Sequence, residues 1–152
     1  MLAVPPVGVP TFIQGMLRGI KGWLTCRSGD PDGGLALLRE GLEELGSSTL
    51  TEVIAPRIGM LLVPVAEAIL VAKASSAATP QETAAFAGRA ATILGAHDRL
   101  RPTTPSPLER LELAEAEQAL RALIGDAAYD AAYAEGDGLS AMETIALMRA
   151  ED

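Results

Sequence analysis

Three short runs in the second half of the chain, Thr79-Pro80-Gln81-Glu82, Ser106-Pro107-Leu108-Glu109 and Ser140-Ala141-Met142-Glu143, each set a hydroxyl three residues ahead of a glutamate. At this spacing the hydroxyl accepts from the backbone N–H of the glutamate, and the carboxylate reaches back toward the N–H of the cap. Two donors orphaned at a helix start are thus satisfied together. In the first two runs proline follows the cap, where its missing N–H is not needed and its φ is already helical. Each run stands where apolar residues begin to recur at helical spacing, so three helix starts are placed closely. A chain punctuated this way is committed to helices. Aromatic residues make up only 3% of its 152 residues, so the core has to come from Leu, Ile, Val, Met and Ala, the last being the best helix former. The expected fold is all-α.

Periodicity predicts about seven helices. In the first, over 12–26, Ile13, Met16, Leu17, Ile20, Trp23 and Leu24 give one apolar face, and Arg18 and Lys21 mark the wet side. Gly15, Gly19 and Gly22 weaken such a helix by up to about 1 kcal/mol each, so close packing against a neighbour has to compensate. Ser28 to Pro31 reads as a turn into a second helix over 32–45, burying Leu35, Leu38, Leu42 and Leu45, and so short a connection makes a helical hairpin. A third helix is expected over 50–73, apolar nearly all round and either kinked at Pro64 or split there into two. The fourth runs from Pro80 to about Arg101 with Phe86, Ala90, Ile93, Leu94 and Leu100 inward. The fifth runs from Pro107 to Ile124, after the sharp break at 101–107. Gly125 suits a left-handed turn, Asp126 caps a short helix ending near Glu135, and Ser140 caps the last. Hairpins that bury their faces against the next stack into a short solenoid. The organisation is a proline-rich segment, 1–11, before one helical-repeat domain, 12–152, with sub-units 12–46, 50–101 and 107–150.

Charge and chemistry narrow the function. The net charge of −8 is concentrated: residues 107–152 hold eleven acids against Arg110, Arg121 and Arg149, while residues 1–106 are balanced. An acidic tail repels phosphate, which argues against direct nucleic-acid binding. Cys26 is the single cysteine, which rules out an internal disulfide and suits a reducing cytoplasm. The start lacks a basic region and carries three prolines, so it makes a poor signal peptide. The most apolar window, 53–72, contains Arg57 and Glu67, which favours a buried helix over a membrane span. No phosphate loop, dinucleotide fingerprint, nucleophile elbow or zincin motif is present, and one histidine with one cysteine cannot build a zinc site. No cofactor or metal is expected. Glu109, Glu112 and Glu115 lie three apart on one helix face, without the Glu-x-x-His pairs that a di-metal centre needs.

A few residues remain as candidates for a groove or pocket. His97, late in the fourth helix, reads as a partner of the helix dipole, since no nucleophile accompanies it. Trp23 and Cys26 lie one turn apart, and the tryptophan serves either the core or a ligand pocket with Met16 and Met60, between the first and third helices. Tyr129 and Tyr133, four apart, staple the short helix to its neighbours or turn their hydroxyls to a groove.

Several stretches resemble the tetratricopeptide-like helical region of bacterial LuxR- and AfsR-type transcription regulators and related signalling ATPases. They are Ala90-Ala91-Thr92-Ile93-Leu94-Gly95, the helix ending Ile124-Gly125-Asp126, the short helix ending Glu135-Gly136, and the start Leu139-Ser140-Ala141-Met142-Glu143. Leu38-Arg39-Glu40-Gly41-Leu42 is similar to a recurring helix of the same regulators. The first hairpin is a degenerate repeat. Gly22, Gly29, Gly34 and Gly41 stand where the family has small residues, Arg18 and Thr25 stand where it has bulky ones, and Gly46 replaces a terminal proline. The resemblance implies a right-handed tetratricopeptide-like stack that binds and relays. It would be the sensor or scaffold part alone, a piece of something longer or a stand-alone truncated relative. A protein partner or self-association follows, the latter because no upstream repeat covers Phe12 and Trp23; the proline-rich start folding back as a cap is the alternative. Two other classes stay open: a small apolar effector bound near Trp23, and a small helical enzyme that works by positioning alone.

Overall fold

The computed structural model describes residues 11–47, 62–100 and 106–149, and all regular structure among them is helical. Seven helices follow in order: α1 Thr11–Arg27, α2 Pro31–Ser47, α3 Val63–Ser75, α4 Pro80–Leu100, α5 Pro107–Ile124, α6 Asp126–Gly136 and α7 Ala141–Arg149.

In two of the three expected runs the hydroxyl accepts from the glutamate N–H as its spacing requires; the Glu109 side chain of the third lies outside the described residues. Glu143 donates its N–H to Ser140 Oγ at 3.1 Å while its carboxylate accepts from Ser140 N at 3.0 Å, the full reciprocal pair. At α4, Glu82 N donates to Thr79 Oγ1 at 3.2 Å, and the Glu82 carboxylate reaches one residue further back, to Ala78 N at 3.3 Å. A further cap stands at α2, where Asp30 Oδ1 accepts from Gly33 N at 2.9 Å with Pro31 as the first helical residue. Between α5 and α6 the cap position belongs to Gly125 rather than to Asp126, which is already helical. With φ 86° and ψ 161°, Gly125 occupies backbone space that is essentially closed to other residues. The helix expected over 50–73 is described from Val63 on, and Pro64 lies in its first turn, so here the proline opens a helix instead of kinking one. The part expected over 50–61, with Met60, lies outside the described residues.

Glycine sets the first hairpin. A methyl group on Gly22 would fall 2.5 Å from the Gly34 carbonyl oxygen, and one on Gly34 would meet the Gly22 oxygen at the same distance. Gly41 meets the Gly15 carbonyl in the same way further along. Pairs 22 with 34 and 15 with 41 run in opposite directions, so α1 and α2 cross antiparallel, backbone against backbone. This corrects the sequence expectation for α1 in one respect. The face turned to α2 is the glycine face, so Ile13, Leu17, Ile20 and Leu24 point outward and stand exposed.

The core lies around α3 and α4. Val63, Ala66, Ile69 and Leu70 of α3 and Ala87, Ala90, Ala91 and Ile93 of α4 are wholly buried, joined by Leu38 and Leu42 of α2, Leu120 of α5 and Met148 of α7. α4 is the hub: it packs on α3, α5, α6 and α7. A second close crossing joins it to α6, where Gly95 lies under the Tyr133 carbonyl and Gly136 under that of Thr92. Contact also passes from α2 to α7, so the first hairpin meets the last helix.

Candidate functional site

Because α4 turns Phe86, Ala87, Ala90, Ala91, Ile93 and Leu94 inward, its N-terminal half leaves Ala84, Ala85 and Gly88 on the outer side. α6 is an eleven-residue helix that buries Tyr129 and Gly136 and leaves Ala128 and Ala131 exposed. The two small-residue faces border a groove of about 1100 Å³, open to solvent. Leu123 and Ile124 at the end of α5 and Leu147 of α7 complete its wall, and the α3–α4 loop from Ala77 to Thr79 closes one end.

The groove is apolar by construction. Among the described residues its charged lining residues are Arg89 and Glu135, and Arg89 holds its guanidinium 5.8 Å over the Phe86 ring. The threonine hydroxyls along it are engaged locally: Thr92 donates to the Gly88 carbonyl at 3.0 Å, Thr83 to those of Thr79 and Ala74, and Thr79 caps α4. Among the described residues no serine, cysteine or histidine lines it. Such a surface can bury apolar matter; it offers no nucleophile with a base beside it.

Gly88 is the most informative residue here. A glycine inside a helix costs about 1 kcal/mol relative to alanine. Gly22, Gly34 and Gly95 are accounted for, because a methyl group on any of them would collide with neighbouring backbone. Around Gly88 a methyl group would meet nothing within 4 Å, and its φ is not positive. Among the described residues nothing requires a glycine there.

The sequence-derived candidates lie elsewhere. Met16 and Trp23 are half-buried on α1, with the Arg27 guanidinium 5.3 Å over the Trp23 ring. Burial pushes the Cys26 thiol above its usual range. His97 is half-buried near the end of α4. Tyr129 and Tyr133 come together, stacked with ring centroids 5.8 Å apart, and Tyr133 hydrogen-bonds Asp98 of α4 through its hydroxyl. They staple α6 to its neighbours and do not line the groove. Arg121 ties the α5–α6 turn, contacting Glu117 at 2.9 Å, Asp126 at 3.1 Å and Asp130 at 2.8 Å and lying 4.4 Å over the Tyr129 ring. The groove itself was not foreseen from sequence. An alanine facing out at 84 or 131 looks the same as one facing in at 87 or 90.

Outside the groove, Glu67 of α3 is half-buried and its carboxyl is pushed up to about 7, chiefly by burial and secondly by the Glu112 carboxylate. Among the described residues no group of three or more His, Cys, Asp or Glu side chains is placed to hold a metal ion, and no helix is long and apolar enough to cross a membrane.

No family model, curated protein or solved structure matches the chain.

Proposed function

We propose that this chain is a non-catalytic helical interaction module whose α4–α6 groove takes an apolar helix. The observation that carries the reading is the groove's character: open, lined by Ala and Gly, and without convergent polar groups among the described residues. Small residues let a helix approach closely, and an amphipathic helix laid in an apolar groove is a recurrent mode of recognition. A small apolar effector fits less well, since the open side of the groove leaves it facing water. Ligand pockets bury most of their ligand. The regulator-like runs at Leu38–Leu42 and Ala90–Gly95 support treating the module as the binding and relay part of a cytoplasmic bacterial transcription regulator or signalling protein.

The test uses a fluorescent amphipathic peptide of leucine and lysine, whose apolar face suits the Ala and Gly lining. Fluorescence anisotropy is expected to show saturable binding that Gly88→Leu abolishes, since Gly88 lines the groove and a Cβ there meets nothing within 4 Å. Binding that survives Gly88→Leu unchanged, or no binding at all, overturns the reading.

A further inference from the structure

α5 is held unevenly along its length. From Pro107 to Glu115, Leu113 is the one described side chain that is even half-buried, while Leu108 and Leu111 stand 65 and 57% exposed. Beyond that point Ala116 and Leu120 are buried, and Arg121 ties the last turn to Asp126 and Asp130. The lightly held first half carries Glu112, one turn ahead of Ala116. α5 packs on α3, where Glu67 stands one turn from Val63 and one turn from Leu70, both wholly buried. The crossing therefore sets a half-buried carboxyl against a second carboxylate. Among the described residues no cation of the helices around α3 acts on Glu67, Arg39 of α2 included. Arg18 of α1 lies on Glu40 and Glu44, Lys73 of α3 on Asp32 and Arg89 of α4 over the Phe86 ring, and Arg110 of α5 is exposed.

An ionised Glu67 is penalised twice, by loss of water and by the like charge of Glu112, and its carboxyl is pushed up to about 7. Lifting the first half of α5 relieves both penalties and gives up few buried contacts, the circumstance in which a helix opens locally. We propose that the first half of α5, Pro107 to Glu115, is a proton-controlled flap. It lies on α3 while Glu67 carries its proton and lifts when Glu67 and Glu112 are both charged, with the Arg121 end of the helix as pivot. The released proton passes to solvent. In the open form Glu67 is back in water and titrates near 4.5, against about 7 in the closed form. Opening therefore grows between those values by up to about tenfold per pH unit and levels off above 7.

Native-state amide exchange on the full chain from about pH 5 to about pH 8, corrected for intrinsic rates, tests this. Amides of 108–116 are expected to exchange ahead of those in α4, which report unfolding of the whole domain, and their opening is expected to follow that pH course. Glu67→Gln is expected to remove the rise. Glu112→Gln, at an exposed position, is expected to make it level off at lower pH. An opening that does not change with pH overturns the proposal, as does the same rise in Glu67→Gln. So does exchange of 108–116 at the α4 rate, the mark of a domain that opens only as a whole. Should Glu67→Gln misfold, Glu112→Gln decides: a levelling point that stays at the wild-type pH overturns the proposal.

Discussion

Alanine in place of glycine inside a helix gains about 1 kcal/mol from backbone propensity, and the expected sign of that exchange reverses between Gly22 and Gly88. At Gly22 the new methyl would stand 2.5 Å from the Gly34 carbonyl oxygen, 3.2 Å from Leu38 N and 3.3 Å from Leu37 Cβ. Two of these three are backbone atoms that cannot swing aside. Ordinary contact begins near 3.4 Å, so α1 and α2 must part by 3.4 − 2.5 = 0.9 Å at the crossing. Overpacking of this kind costs about 1–3 kcal/mol, and backbone against backbone belongs at the upper end. Less the propensity gain, Gly22→Ala is expected to destabilise by about 2 kcal/mol, a fall of roughly 4–8 °C in Tm for a domain of this size. Gly88→Ala meets nothing within 4 Å and is expected to raise Tm by roughly 2–4 °C. Thermal and urea unfolding by circular dichroism measure both, with Trp23 fluorescence as a reporter beside the first crossing. Once α1 and α2 have parted, a second alanine at Gly34 should cost less than it does alone, a coupling that a double-mutant cycle resolves. A Gly22→Ala variant as stable as wild type would refute the backbone crossing. A destabilised Gly88→Ala would mean that the groove floor is filled from within the molecule.

Glu67 titrates near 7 when folded and near 4.5 when unfolded, so the native state holds the extra proton between those values and stability falls as pH rises through that window. Glu67→Gln is expected to flatten the slope and to stabilise at pH above 7 by up to about 3 kcal/mol; urea midpoints across pH that keep the wild-type slope would contradict this. Ser140→Ala removes the cap of α7 and is expected to cost about 1 kcal/mol in urea unfolding. The Glu143 carboxyl is held below its usual range, first by the Ser140 backbone N–H and then by its hydroxyl, so its share of stability is present at neutral pH and lost as pH falls through its folded pKa. Arg121→Ala is expected to lower Tm at low salt and to lower it less at high salt, because its carboxylate partners are exposed and screened; a salt-independent loss would assign its role to packing on Tyr129.

Helix starts were legible because a cap is a local device: Thr79 with Glu82 and Ser140 with Glu143 need no knowledge of the rest of the chain. So were inward residues such as Phe86, Ile93 and Leu94, which periodicity selects and the structure buries. The close packing that Gly15 and Gly22 require was legible; that their face, and not the Ile and Leu face, turns to α2 was not. The Ile and Leu residues of α1 form its more apolar face, but its glycines face glycines on α2, and close backbone contact between two helices outweighs what one helix shows alone. The groove was hidden for a related reason. Alanine carries little information about burial, and Gly88 differs from Gly95 only in what stands over it.

The helix that floors the groove packs on four others, α3, α5, α6 and α7. An occupant therefore grips a helix that cannot unwind without giving up its packing on all four. Binding free energy delivered there is not confined to a loop or a frayed end. It adds to the cooperative unfolding of the whole domain, so melting temperature becomes a direct reporter of docking, and amide exchange deep in α4 should slow in proportion to occupancy.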